Sequence, residues 1–294
     1  MNHFSANIKE PDIVKLKHDL KQKSFEFKEL PYGHFQAINS SLKITINVYH
    51  SLKCLIQGKG TEEFVRYYFE PEILKTFDLD YGHLNFKEKI GMDESGKGDY
   101  FGPLVVASAY VSNENFHQLK KNGVVDSKKI NDKRIHVIAE TIKKICPIHF
   151  ISISPEKYNE LYAKFNNLNS LLAWAHSACL KEILTKCNTT NATIDKFAQS
   201  AVLNKYLKIK NITIDVEQIV RGEQDIAVAA ASIIARSNFL NQIENLSKKY
   251  GIQLPKGGGE STHSAGKEFI AKHGIENLGK VAKLHFKNTE KIQN

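Results

Sequence analysis

The sequence predicts an α/β protein in two parts: a small α+β domain with an antiparallel sheet over residues 1–80, then a mixed sheet flanked by helices over residues 87–294. Two patterns predict this. Before residue 80, runs of strict apolar–polar alternation sit between two helically periodic stretches, whereas after residue 87 short β-branched runs take turns with long helical ones. The 294 residues are 41% hydrophobic and 25% charged, ordinary globular usage and enough for one large domain or two average ones.

In the first part, Pro11 opens a stretch with Ile13, Leu16 and Leu20 at helical spacing, which predicts a helix over 12–22. Phe25 and Phe27 alternate with Glu26 and Lys28, Pro31-Tyr32-Gly33 makes a turn, and Ile44, Ile46 and Val48 share one face of a strand over 43–49. A shorter strand over 53–57 stops at Gly58-Lys59-Gly60. Thr61 reads as an N-cap with Glu62 and Glu63 in the first turn of a helix that Pro71 interrupts. The polar residues 75–86, among them Asp78, Asp80, Gly82 and His83, read as the linker.

The second part opens on residues 87–111, where a strand runs into Asp93-Glu94, a glycine turn Gly96-Lys97-Gly98 follows, and Val105-Val106 leads a second strand back. Successive strand side chains point to opposite faces, so on a regular strand one of the two carboxylates faces a site and the other reaches it from the strand's end. Helices are expected over 131–144, 155–162, 168–186, 227–250, 264–272 and near 279–286, and strands over 149–153, 191–195 and 212–216.

The net charge of +9 favours an anionic partner, nucleic acid ahead of a membrane. Residues 1–82 carry eleven basic and eleven acidic side chains, so the whole surplus falls with the second part. Basic surroundings for clustered acids suit a metal-assisted phosphodiester enzyme, because phosphates are attracted while carboxylates hold cations. Cys54, Cys146, Cys179 and Cys187 lack metal-site spacing and read as free thiols of a reducing compartment. The longest mostly apolar run, 226–235, is far short of a membrane span, so the expectation is a soluble cytoplasmic protein.

Three acidic points lie at strand ends or just ahead of a helix: Asp93-Glu94, Asp195, and Glu223 with Asp225. Converging, they could hold two divalent cations about 4 Å apart, the arrangement that activates water and stabilises a leaving oxygen. All-oxygen donors suit Mg²⁺ or Mn²⁺ rather than zinc. Taken singly, Asp195 and Asp225 read as well as surface charges or helix caps. A nucleotide-cradle reading of the glycines fails on spacing, since Gly98 follows Lys97 where a Walker loop has Ser or Thr, and a β-branched run follows where a dinucleotide fold needs a helix.

The stretch Gly91-Met92-Asp93-Glu94-Ser95-Gly96-Lys97-Gly98-Asp99-Tyr100-Phe101-Gly102-Pro103 closely resembles the opening motif of the ribonuclease HIII family, a branch of the type 2 ribonucleases H. Later blocks look like that family's in the same order: Asp126-Ser127-Lys128-Lys129, residues 166–176 ending in His176, residues 194–197 around Asp195, residues 227–236, and residues 281–289. Residues 49–59 resemble its substrate-binding domain, similar in fold to the TATA-box-binding protein. The resemblance implies a ribonuclease H-like fold and an endonuclease that cuts the RNA strand of RNA/DNA hybrids with Mg²⁺ or Mn²⁺, leaving 5′-phosphate and 3′-hydroxyl ends.

By position it implies Asp93, Glu94 and Asp195 as metal ligands, and Glu223, in Arg221-Gly222-Glu223, is preferred over Asp225 as the fourth. Backbone at Gly96 and Gly98 would meet RNA 2′-hydroxyls, with Lys97 and Lys128 on the phosphates and Tyr49, Lys53 and Lys59 offered by the first domain. Leu52 stands where the family has glycine, and His263 stands where an acid is expected. No obligate protein partner is implied. A non-catalytic hybrid- or duplex-binding protein is the competing reading.

Overall fold

The structure, a computed structural model, describes residues 1–75, 86–124 and 127–293, the side chains of Lys129 and Glu223 excepted. The expected linker, in its stretch 76–85, and Asp126 lie outside the described residues. The chain divides into two compact units, Met1–Phe86 and Lys87–Asn294.

The first unit is a five-stranded antiparallel sheet in the order β1 (His3–Asn7), β5 (Lys53–Gln57), β4 (Ile44–Tyr49), β3 (Gly33–Asn39), β2 (Glu26–Lys28). Its inward face, Ile44, Ile46, Val48, Cys54 and Ile56, is buried in one core with Leu16 and Leu20 of α1 (Glu10–Gln22) and with Phe64, Val65 and Phe69. The last three belong to α2 (Thr61–Phe64) and its π-helical continuation Val65–Leu74, which contains Pro71. The N-cap is Gly60; Thr61 is the first helical residue and makes no capping bond, in contrast to the reading from sequence. Leu52 occupies the left-handed region at φ 64°, the conformation that favours glycine at that position.

The second unit is built on a mixed sheet in the order β10 (Asp215–Ile219), β9 (Asn191–Asp195), β6 (Lys89–Ser95), β7 (Leu104–Val111), β8 (Ile148–Ile153). β9 runs parallel to β6 and β10, while β6–β7 and β7–β8 are antiparallel. Around it lie α3 (Asn113–Lys121), α4 (Asp132–Ile145), α5 (Pro155–Phe165), α6 (Leu168–Ile183), α7 (Ser200–Ile209), α8 (Ile226–Tyr250), α9 (Glu260–His273) and α10 (Asn288–Gln293).

Two helices sandwich β6. On one face Ile90 and Met92 join Leu171, Leu172, Ala175 and Cys179 of α6 in a fully buried core. On the other face α8 comes so close that a Cβ at Gly91 would lie 1.9 Å from the backbone of Ala227. The run Ala227, Ala229, Ala230, Ala231 follows from that proximity, since larger side chains would push the helix off the strand. The expected helix near 279–286 is not formed: a 3₁₀ turn Ile275–Lys280 gives way to a turn segment in which Ala282 alone bridges to Phe101.

Candidate active site

Asp93 and Glu94 sit at the end of β6, and the strand stays regular through both, with Asp93 opposite Ala107 and Glu94 opposite Val106. Their side chains therefore leave on opposite faces, and each is met by a different helix. Asp93 Oδ1 accepts the N–H of Glu94 at 2.7 Å, and on the α8 side the nearby Ser232 hydroxyl favours its charged form. His176 of α6 places Nε2 3.0 Å from Glu94 Oε2, and Lys97 Nζ lies 3.1 Å from Oε1. Both carboxylates nevertheless line a single cavity of about 490 Å³, because the strand ends there and nothing separates its two faces.

The same cavity is lined by Asp195, at the end of β9 next to β6, by Ser95, Gly96, Lys97 and Gly98, and by Ser127, Lys128, Ser232 and Arg236. Asp195 Oδ1 accepts the N–H of Gly222 at 2.9 Å. A Cβ at Gly222 would lie 3.0 Å from Cα and Cβ of Asp195, so glycine lets the two segments touch. Ser127 and Ser232 share a buried hydrogen bond of 2.9 Å. Arg236, one helical turn after Ser232, bonds the Ser127 carbonyl and reaches Asp132 at 2.6 Å, which fixes the turn that bears Lys128.

Charge in the cavity is unbalanced in an informative way. Burial, with the neighbouring Glu94 charge adding to it, pushes Asp93 up to about 7. Burial would also push Glu94 up, but the hydrogen bond from His176 and the Lys97 ammonium outweigh it and hold Glu94 below the ordinary carboxylate range. An ionised carboxylate only accepts, so Nε2 of His176 carries the proton. The imidazole is fully buried, stacks on Phe197 at 4.9 Å, and leaves Nδ1 without a hydrogen-bond partner.

Among the described residues no three Asp, Glu, His or Cys side chains already surround one point as a closed cation cage. The donor set nonetheless fits a hard divalent cation. Asp93, Glu94 and Asp195 offer only oxygens, and the raised Asp93 marks a place short of positive charge.

Glu223 lies in the 3₁₀ turn Gly222–Gln224, beside the Asp195–Gly222 contact, and its side chain lies outside the described residues. Asp225 is already engaged: Oδ1 caps α8 by accepting from Ala227 at 2.8 Å and Val228 at 3.3 Å, and Oδ2 pairs with Lys89 at 2.6 Å. Tyr49, Lys53 and Lys59 belong to the first unit, Lys53 and Lys59 exposed and Tyr49 half-buried. His263 is not a cavity residue; it lies 3.0 Å from Asn288 Nδ2 and 3.3 Å from Glu260.

Sequence reasoning assigned no role to His176, Ser232 or Arg236. Each carries a usable signal. His176 is the one imidazole between Leu172 and Leu180 on an apolar stripe, and Ser232 is the one hydroxyl between Ile226 and Ala235, with Arg236 a turn later on the same side.

Comparison with known proteins defines the class first. The family model described as Ribonuclease HII matches residues 90–289, and a domain of unknown function, DUF3378, matches residues 4–78. Over 280 residues the chain is 41% identical to the ribonuclease HIII of Protochlamydia amoebophila (95% of this chain, 92% of that one) and 44% identical to that of Chlamydia pneumoniae (94% and 93%). It is similar to the crystal structure of Bst-RNase HIII in complex with Mn²⁺, with TM-score 0.68 and 30% identity over 99% of this chain and 98% of that one. Aquifex aeolicus RNase H3 gives TM-score 0.59 and 27% identity, covering 97% and 100%. The chain belongs to the ribonuclease HIII family, with a ribonuclease H-like fold.

Proposed function

We propose that this chain is an endoribonuclease that cleaves the RNA strand of RNA/DNA hybrids by two-metal-ion phosphodiester hydrolysis, leaving 5′-phosphate and 3′-hydroxyl ends. The observation that carries the reading is the meeting of Asp93, Glu94 and Asp195 with Lys97, Lys128 and Arg236 around one cavity. Acids to hold cations and bases to draw phosphates occupy the same wall.

Asp93, Glu94, Asp195 and Glu223 would hold two Mg²⁺ or Mn²⁺ ions, and the Mn²⁺ of the Bst-RNase HIII complex supports a divalent cation. When bound, such ions activate an attacking water and stabilise the leaving oxygen. His176 and Ser232 orient the two strand-end carboxylates from opposite sides of the sheet. The engagement of Asp225 as helix cap and ion-pair partner favours Glu223 as the fourth acid.

Gly98 supports the substrate assignment: a Cβ there would meet nothing within 4 Å, so the protein's own packing does not require glycine, whereas close approach of an RNA sugar does. Gly96 and Gly98 then face the RNA strand, Lys97 and Lys128 its phosphates, and a first domain over residues 1–80 binds the duplex through Tyr49, Lys53 and Lys59. No described helix is long and apolar enough to cross a membrane, and the substrate suits a cytoplasmic enzyme without an obligate protein partner. Incubation with a hybrid labelled on its RNA strand tests the reading: metal-dependent RNA cleavage lost in Asp93→Asn supports it, and intact RNA refutes it.

A further inference from the structure

The loop of residues 96–103 joins β6 to β7 and carries the cavity's glycine wall. Gly96 and Gly102 sit at φ 89° and 81°, conformations that cost glycine little, so local preference alone does not hold the loop. What holds it comes from far along the chain. Lys283 has a wholly buried side chain, and its Nζ donates to the carbonyl oxygens of Asp99 and Gly102, each at 2.7 Å.

The backbone around this lysine adds to the tie. Lys283 N–H donates to Tyr100 O at 2.9 Å, Gly102 N–H to Val281 O at 2.9 Å, and the Tyr100 hydroxyl lies 3.1 Å from Thr289 Oγ1. From the glycine-rich segment, Gly257 N–H donates to Asp99 Oδ1 at 2.6 Å and Tyr100 N–H to Gly257 O at 2.9 Å.

A buried lysine is a costly way to fill space, because an apolar side chain of similar volume packs without desolvating a charge. What an ammonium supplies, and Leu or Met does not, is several donors at one point. Two inward-facing carbonyls of a single loop use them.

We infer that Lys283 is a positioning residue for substrate discrimination: by clamping the carbonyls of Asp99 and Gly102 it sets the height and tilt of the Gly96-Lys97-Gly98 backbone against the RNA strand. The inference rests on the hybrid-cleaving function proposed above. The clamp touches none of the cavity's carboxylates, so its loss changes how substrate is held and leaves cation binding alone.

The test compares the full-length protein with Lys283→Met and Lys283→Gln, both of which remove the ammonium that holds the two carbonyls. KM and kcat are measured on an RNA/DNA hybrid, the binding preference for hybrid over a DNA duplex of the same sequence by competition, and Mn²⁺ affinity by calorimetry. The expected result is a KM raised about tenfold, the scale of one lost charge-assisted hydrogen bond, with a narrowed preference, while kcat and Mn²⁺ affinity stay near those of the unaltered chain. A purely structural role would lower the melting temperature and the active fraction, moving kcat and sparing KM and preference; that result overturns the inference. Should Lys283→Met fail to fold, Lys283→Gln decides, since its shorter neutral amide keeps a polar end but cannot hold both carbonyls as the ammonium does, and an unchanged KM in it also overturns the inference. An unaltered protein with no preference for hybrid refutes the proposed function itself, a result separate from any behaviour of the variants.

Discussion

His176 Nε2 and Glu94 Oε2 lie 3.0 Å apart, a fully buried imidazole against a carboxylate whose side chain is only 8% exposed. The ring also stacks on Phe197, two residues past Asp195, so one histidine ties the end of β6 to the segment leaving β9. His176→Phe keeps the stack and removes the hydrogen bond. Burial then acts on Glu94 with only Lys97 opposing it, so its carboxyl moves up. We expect kcat/KM at pH 7 to fall at least about tenfold, with the acid limb of the pH–rate profile displaced to higher pH. A profile superimposable on that of the unaltered chain contradicts this role.

Asp93 gives a prediction that needs no activity. Its carboxyl titrates near the ordinary aspartate value of about 3.9 when unfolded and is pushed up to about 7 in the fold. Between those values the folded chain holds the extra proton, so stability falls as pH rises from about 4 to 7 and the loss is complete above 7. Asn cannot ionise and escapes this loss. In chelator at pH 8, Asp93→Asn is therefore expected to melt a few degrees above the unaltered chain, at roughly 2–4 °C per kcal/mol for a unit of this size, and the gap should close near pH 4. Equal melting curves at pH 8 would count against the buried, uncompensated charge.

Asp225 and Glu223 separate by readout. Asp225→Ala removes a helix cap, worth about 0.5–2 kcal/mol, together with the partner of Lys89. It should lower the denaturation midpoint and leave the activity of the folded fraction largely intact. Glu223→Gln should abolish activity with the midpoint unmoved. The reverse pattern, activity lost in Asp225→Asn and kept in Glu223→Gln, would reassign the fourth ligand.

The two glycines flanking Lys97 should fail differently. A Cβ at Gly96 meets Pro103 O at 2.1 Å in a left-handed backbone, so Gly96→Ala is expected to destabilise the fold. At Gly98 the added methyl finds open space, so Gly98→Ala should melt like the unaltered chain and yet raise KM for hybrid. Unchanged KM in Gly98→Ala would remove that position from the substrate surface.

Much of this organisation is legible in the sequence where periodicity is strong. The alternation of Ile44, Ile46 and Val48 becomes β4, and Asn191–Asp195 is the strand expected from its residues. Where apolar residues serve other ends, the pattern misleads. Ile212 and Ile214 pack onto the core before pairing begins, so β10 starts at Asp215, three residues later than expected. Val281, Ala282 and Leu284 mimic a helical spacing, but Val281 and Ala282 are buried in a turn and a single bridge to Phe101. β3 went unread because Phe35 and Ala37 alternate too briefly behind the Pro31-Tyr32-Gly33 turn.

The candidate site divides the same way. Adjacent acids before a glycine turn announce themselves, and so does an acid ending a strand. The residues that orient them do not, since His176 and Ser232 lie on buried helix faces whose neighbours say only that something packs there. Their roles depend on β6 being held between α6 and α8, which is a fact of tertiary structure.

The most direct test of the account is cleavage of an RNA/DNA hybrid labelled on the RNA strand, with Mg²⁺ or Mn²⁺, by the unaltered chain and by Asp195→Asn. The account predicts cuts within the RNA strand only, products bearing 5′-phosphates, dependence on the added cation, and no cleavage by the variant. Cleavage that persists in Asp195→Asn, or an RNA strand left whole by the unaltered chain, would contradict it.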